Sequence, residues 1–140
     1  MRQLNLFEGW WERFDKGDIA GMMDLAAPDI ECVIPGMRLQ GWEQLAPLLH
    51  ELHAALPDMR HRLVRYLESE GAATVELILT GTMTGPLQTP HGMAPPTGKQ
   101  LNLRACDVVT VRDNRFPSMR SYYDTVEFMT QLGLMPSPAG

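Results

Sequence analysis

The side chains able to do chemistry are few, and one is placed against expectation. In the run Lys99–Arg112 the odd positions are Leu101, Leu103, Ala105, Asp107, Val109 and Val111. A strand alternates its side chains between two faces, so these six share one. Five are apolar, which predicts a buried face with Asp107 in its middle. A carboxylate there is costly unless it is paired, protonated or used. An apolar cavity would raise its pKa toward neutrality, which suits a group that removes a proton and returns it. The plainer reading is a structural ion pair with Arg104 or Arg120. Arg104 has the wrong parity and should point out of the sheet.

The four histidines carry weaker signals. His61 alternates with Met59 and Leu63 at a strand start, so it could face a cavity. His91 lies in a Pro/Gly-rich loop and could contact a ligand as part of a lid. His50 and His53 are one helical turn apart, but the HExxH pattern and a third ligand are missing, so no metal site is expected. Cys32 and Cys106 stand alone among apolar residues and read as small hydrophobes.

The elements that must position these groups follow from patterning. Leu6, Phe7, Trp10, Trp11 and Phe14 recur at helical spacing, predicting a helix over about 4–16. The stripe reads mainly as core, with Trp10, Trp11 or Phe14 as alternative cavity walls. Gly17-Asp18 ends this helix and caps a short second one, stopped at Pro28. Ile30–Ile34 reads as a strand broken by Pro35-Gly36, and Trp42–Leu56 as a third helix closed by Pro57-Asp58. Arg60–Glu68 and Ala73–Thr84 read as strands, the second with Val75, Leu77, Leu79 and Met83 on one face. Gly85–Gly98 reads as a loop that rims something. Asp113-Asn114 predicts a hairpin turn into Arg115–Tyr123. Asp124-Thr125-Val126-Glu127 has capping-box form, so a last helix starts there, ends at Gly133 and is followed by Pro136. That capping role explains Asp124 fully. Helices gathered before an antiparallel meander indicate α+β rather than a doubly wound sheet.

A chain of 140 residues reads as one domain over 1–140. The net charge of −5 and the lack of a basic patch argue against nucleic acid. No apolar run has the length of a bilayer span or a signal peptide, so no membrane partner and a cytoplasmic location are expected.

Four pieces together resemble one family. They are Phe14-Asp15-Lys16-Gly17-Asp18; Pro57-Asp58-Met59; Gly81-Thr82-Met83-Thr84-Gly85-Pro86-Leu87 with Pro95-Pro96-Thr97-Gly98-Lys99; and Tyr122-Tyr123-Asp124 with Gln131-Leu132-Gly133-Leu134. In order, from Phe7 to Pro136, they look like the SnoaL-like polyketide cyclases of the nuclear-transport-factor-2-like superfamily. The resemblance implies a curved antiparallel sheet wrapped by N-terminal helices into a cone, with a C-terminal helix. It also implies a small hydrophobic ligand inside and a homodimer through sheet faces; the apolar Cys106 and Val108, opposite Asp107, are compatible with the latter. The family's acid/base Asp position corresponds to Ser121, its strand His to Asp107, and the His of its GTHTG motif to Met83.

The expected catalytic set is therefore Asp107 as acid/base, Ser121 beside it on the paired strand, and Tyr123 as a donor to a developing oxyanion. The expected substrate-binding set is Trp10, Phe14, His61, Met83, His91 and Met119. No cofactor is expected. The implied activity is a cyclase or isomerase acting on a polyketide-like or bulky hydrophobic molecule. An epoxide hydrolase on the same fold, short of a second interior carboxylate, and a non-catalytic binding or dimerisation module are the alternatives.

Overall fold

The structure is a computed structural model and describes residues 2–135; the expected stop signal at Pro136 lies outside the described residues. Helix α1 (Arg2–Asp15) buries Phe7, Trp10 and Phe14 along one stripe. It ends where Gly17 adopts φ +78°, with Asp18 N–H donating to Arg13 C=O and Gly17 N–H to Phe14 C=O. This six-to-one and five-to-two closure is a Schellman motif, and the left-handed residue in it favours glycine. Asp18 then caps α2 (Ile19–Met22) by accepting from Gly21 N–H. A 3₁₀ turn (Met23–Leu25) leads into β1 (Ala26–Ile34).

The second helix therefore stops before Pro28, and the strand starts four residues earlier than expected. The pairing of β1 slips between Ala26 and Glu31, and Pro28 sits inside that irregularity. Proline lacks an N–H, so an irregular stretch is where a strand tolerates it. The Pro35-Gly36 break is a turn into a short extra strand, β2 (Met37–Gln40). Helix α3 (Trp42–Ala55) follows, then β3 (Arg60–Ser69) and β4 (Ala72–Thr82). The expected loop contains a small hairpin, β5 (Leu87–Thr89) and β6 (Gly92–Ala94). Strands β7 (Gln100–Arg112) and β8 (Arg115–Tyr123) meet through Asp113 and Asn114, both at positive φ (54° and 61°). Two consecutive left-handed residues make a type I′ turn, whose twist matches the strands. Asp124 caps α4 (Thr125–Gln131) by accepting from Val126 and Glu127 N–H.

The main sheet runs β2-β1-β8-β7-β4-β3 and is open at both edges. It is antiparallel except for β1 and β8, which lie parallel, so the sheet is mixed. The helices cover one face. Between them and the sheet lies the core, with Phe7, Trp10, Phe14, Ile30, Leu77, Leu101, Leu103 and Phe116 nearly or wholly sealed. The odd positions Leu101–Val109 of β7 all face this side, as their alternation predicts.

Candidate active site

Three strands bring the polar groups together. Asp107 on β7 lies opposite Ser121 on β8 and Val75 on β4. Two residues along, Tyr123 pairs with Ala105. Asp107, Ser121, Ala105 and Tyr123 face an apolar cavity of about 230 Å³. A single water needs roughly 10–15 Å³ on such a scale, so the space suits a small organic molecule. The wall comprises Trp10 and Trp11 from α1, Cys32 and Ile34 from β1, Leu45, Leu49 and Leu52 from α3, Leu77 and Leu79 from β4, and Met119 from β8. Leu87 to Pro90 from the small hairpin, and Phe128 and Met129 from α4, complete it.

Asp107 is the one buried charged or polar residue among the described residues, at 2% exposure. Burial pushes its carboxyl up to about 7. The Ser121 hydroxyl and the Trp11 indole favour its charged form. They do so by proximity: Trp11 Nε1 and Asp107 Oδ2 are both buried without a hydrogen-bond partner among the described residues. Burial therefore dominates. Trp10 Nε1 is orphaned as well. Native proteins rarely leave such groups unpaired, because each costs about 1–3 kcal/mol. Two indole donors and one carboxylate oxygen, all unpaired and all at one cavity, form a set that a bound ligand or water would satisfy. Burial also raises the Tyr123 hydroxyl, and the Cys32 thiol to about 11, with Asp107 adding to both. Each stays protonated near neutrality, so Tyr123 is a hydrogen-bond donor there and Cys32 is not a nucleophile.

His61 forms part of the same wall. Its Nδ1 lies 2.7 Å from Asp15 Oδ1, and its ring stacks on Trp11 at 3.9 Å. Burial lowers its pKa, and Asp15 partly offsets this.

Of the substrate-binding candidates, Trp10, His61 and Met119 line the cavity, whereas Phe14, Met83 and His91 do not. Phe14 lies behind Trp11 and His61, packed edge-on against both. Met83 is sealed past the end of β4, where Thr97 donates to its sulfur. His91 sits exposed at the tip of the small hairpin, while its neighbours from Leu87 to Pro90 line the cavity, Leu87 and Thr89 half-buried. The arginine pairing considered for Asp107 does not form: Arg104 and Arg120 are exposed, and Arg120 reaches Glu31 instead. His53 packs edge-on to Phe14 and His50 is exposed. Among the described residues no cluster of three His, Cys, Asp or Glu could hold a metal.

Sequence reasoning missed Asp15 as the partner of His61, because nothing in either segment signals a contact across 46 residues. It also missed the cavity contact of Leu87–Pro90, although the Pro/Gly-rich composition had marked that segment as a rim.

The comparisons with known proteins agree with this architecture. The SnoaL-like domain family matches residues 7–118. No curated protein matches the chain. A candidate SnoaL-like polyketide cyclase from Jannaschia sp. CCS1 superposes with a TM-score of 0.83 at 17% identity, covering 96% of this chain and 94% of that one. A candidate hydroxylase, AclR from Streptomyces galilaeus, gives 0.80 at 16%, with 96% and 97% covered. IdmH, a candidate polyketide cyclase from Streptomyces antibioticus, gives 0.76 at 22%, with 92% and 96% covered. At such identities the superpositions speak for the fold alone, the sheet-and-helix arrangement of nuclear transport factor 2. With four-fifths of its length inside the family's match, the chain belongs to the SnoaL-like domain family.

Proposed function

We propose that this protein is a cofactor-independent cyclase or isomerase that acts, as one SnoaL-like unit, on a polyketide-like or other bulky hydrophobic molecule, with Asp107 as acid and base. One observation carries the reading. A sealed carboxyl group held near 7, with Oδ2 unpaired, faces an apolar cavity. A carboxylate in that state can take an acidic C–H or O–H proton and return it, because its proton affinity is close to the working pH. Ser121, opposite it, would hold the carboxylate or the substrate. Tyr123 would donate to the oxyanion that forms once the proton has left. Trp10 and Trp11 supply two further donors without partners of their own. The names of the candidate polyketide cyclases among similar structures support the substrate class. A cytoplasmic location belongs to the same proposal; no helix among the described residues is long and apolar enough to cross a membrane.

The epoxide-hydrolase alternative is less well supported. It needs a second interior carboxylate and a paired arginine, but among the described residues no arginine lines the cavity, and the other carboxylate on its wall, Glu51, is exposed.

The test is a carboxyl-carbon NMR titration of Asp107, with Asp107→Asn as the assignment control, followed by a panel of enolisable, cyclisable and epoxide substrates. A midpoint near 7 and turnover abolished by Asp107→Asn support the reading. A midpoint at or below the ordinary value of about 3.9 would remove the base and leave a ligand-binding module.

A further inference from the structure

Asp15 closes α1 and His61 stands at the start of β3. Nδ1 of His61 lies 2.7 Å from Asp15 Oδ1, and the His61 backbone N–H donates to Asp15 Oδ2 at 3.0 Å. Both carboxylate oxygens are thus committed to one residue. A carboxylate only accepts hydrogen bonds, so Nδ1 carries the hydrogen and Nε2 of the neutral ring carries the lone pair. The ring is held in place: it stacks on Trp11 with an interplanar angle of 11° and meets Phe14 edge-on at 5.4 Å. Its side chain is 2% exposed.

His61 and Trp11 form a wall between two spaces. On one side is the apolar cavity; on the other is an outer groove. Asp15 lines the groove and not the cavity, whereas His61 lines both. Among the described residues none bonds Nε2. Charged groups line both spaces. The groove brings Glu8, Glu12, Lys16, Arg60 and Arg62, and the cavity brings Asp107 and Glu51. The residue paired with His61 on β4 is the uncharged Leu79.

We propose that His61, held by Asp15, is a second general base of this cavity, which receives at Nε2 the hydroxyl proton of a phenolic or enolic ligand. The ligand's O–H bond breaks, an Nε2–H bond forms, and the electron pair stays on the ligand oxygen. The imidazolium is compensated by Asp15, as in other aspartate-held histidines. The orphaned N–H groups of Trp10 and Trp11 are the donors available to the new oxyanion. The inference rests on the cavity being a small-molecule site, but not on Asp107 being its base.

The probe is 4-nitrophenol, added at a pH below its own pKa, where only its ionised form is yellow. The wild type should develop the phenolate absorbance. His61→Gln should lose it. Asp15→Asn, which keeps the ring and its stack, should lose most of it. Ring-nitrogen NMR on the wild type should show the proton on Nδ1 without probe and on both nitrogens with it. If His61→Gln keeps the phenolate, His61 is not the base that takes the proton and this proposal is wrong, while the proposed function survives. If the wild type binds the probe neutral, or not at all, Nε2 is not offered to a cavity ligand and the proposal is equally wrong.

Discussion

Under the proposed function, Asp107 would couple catalysis to stability through one proton. Its carboxyl group sits at about 7 in the folded protein against 3.8 ordinarily. The folded state thus binds a proton that the unfolded chain releases between those two values, and stability from this group falls as pH rises through that window. At about 1.4 kcal/mol per pH unit, the full effect is on the order of 4 kcal/mol. Asp107→Asn should therefore be more stable than wild type at pH 8, with the difference shrinking toward pH 4; paired urea titrations at both ends would measure it. Activity should move oppositely. A base works ionised, so turnover should rise as pH passes about 7, and Asp107→Asn should lose roughly 10²–10⁴-fold. A pH–rate profile flat across neutrality would exclude Asp107 as the base. His61 has the contrary linkage. Its folded pKa lies below the ordinary 6.5, so the unfolded chain takes up its proton first and stability falls as pH drops below that value.

Two elements hold the cavity's rim. The small hairpin of Leu87–Ala94 leaves β4 through Gly85, whose N–H donates to Ala55 C=O at the end of α3. A Cβ at Gly85 would lie 2.0 Å from Ala54 C=O. Backbone cannot yield as a flexible side chain can, so Gly85→Ala should push the hairpin off α3. We expect a cost of about 1–3 kcal/mol and weaker ligand binding, since Leu87–Pro90 form part of the wall; calorimetric melting with a ligand titration would test both. Helix α4 carries Phe128 and Met129 into the same wall and starts at Asp124. Asp124→Ala removes the cap and should cost about 1 kcal/mol, seen as a lower urea midpoint. A loss of turnover far beyond that would mean that Asp124 does more than cap the helix.

At the scale of the whole molecule, the outer face of the sheet is the unexplained surface. Tyr122 pairs with Cys106 and Thr74 with Val108, while Leu67 pairs with Thr74, so Leu67, Val108 and Tyr122 share the face opposite Asp107. Leu67 and Tyr122 are 57% and 54% exposed. Arg104, Arg120 and Glu76 lie among them on the same face, a mixture of apolar and charged groups that suits an interface between copies. We propose a homodimer through this face. Val108→Arg should then shift the species seen by light scattering to a monomer; a wild-type monomer at all concentrations would dismiss the idea.

The sequence by itself determined the elements whose cause is local. Period-two alternation placed Asp107 on the buried face, positive-φ residues closed the β7–β8 turn, and Asp18 and Asp124 capped their helices; each depends on residues within a few positions of one another. The polar cluster was legible in part: alternation placed Asp107, the family resemblance pointed to Ser121, and Tyr123 shares the parity of Ser121 on β8. Tertiary structure decided the rest. Trp10, Trp11 and Phe14 share one helical stripe, and only the roll of α1 against the sheet sends the two tryptophans to the cavity and Phe14 behind them. The parallel pairing of β1 with β8 and the Asp15–His61 contact join segments far apart in the chain. Alternation and capping are silent about such contacts, because they arise only when two finished surfaces pack together.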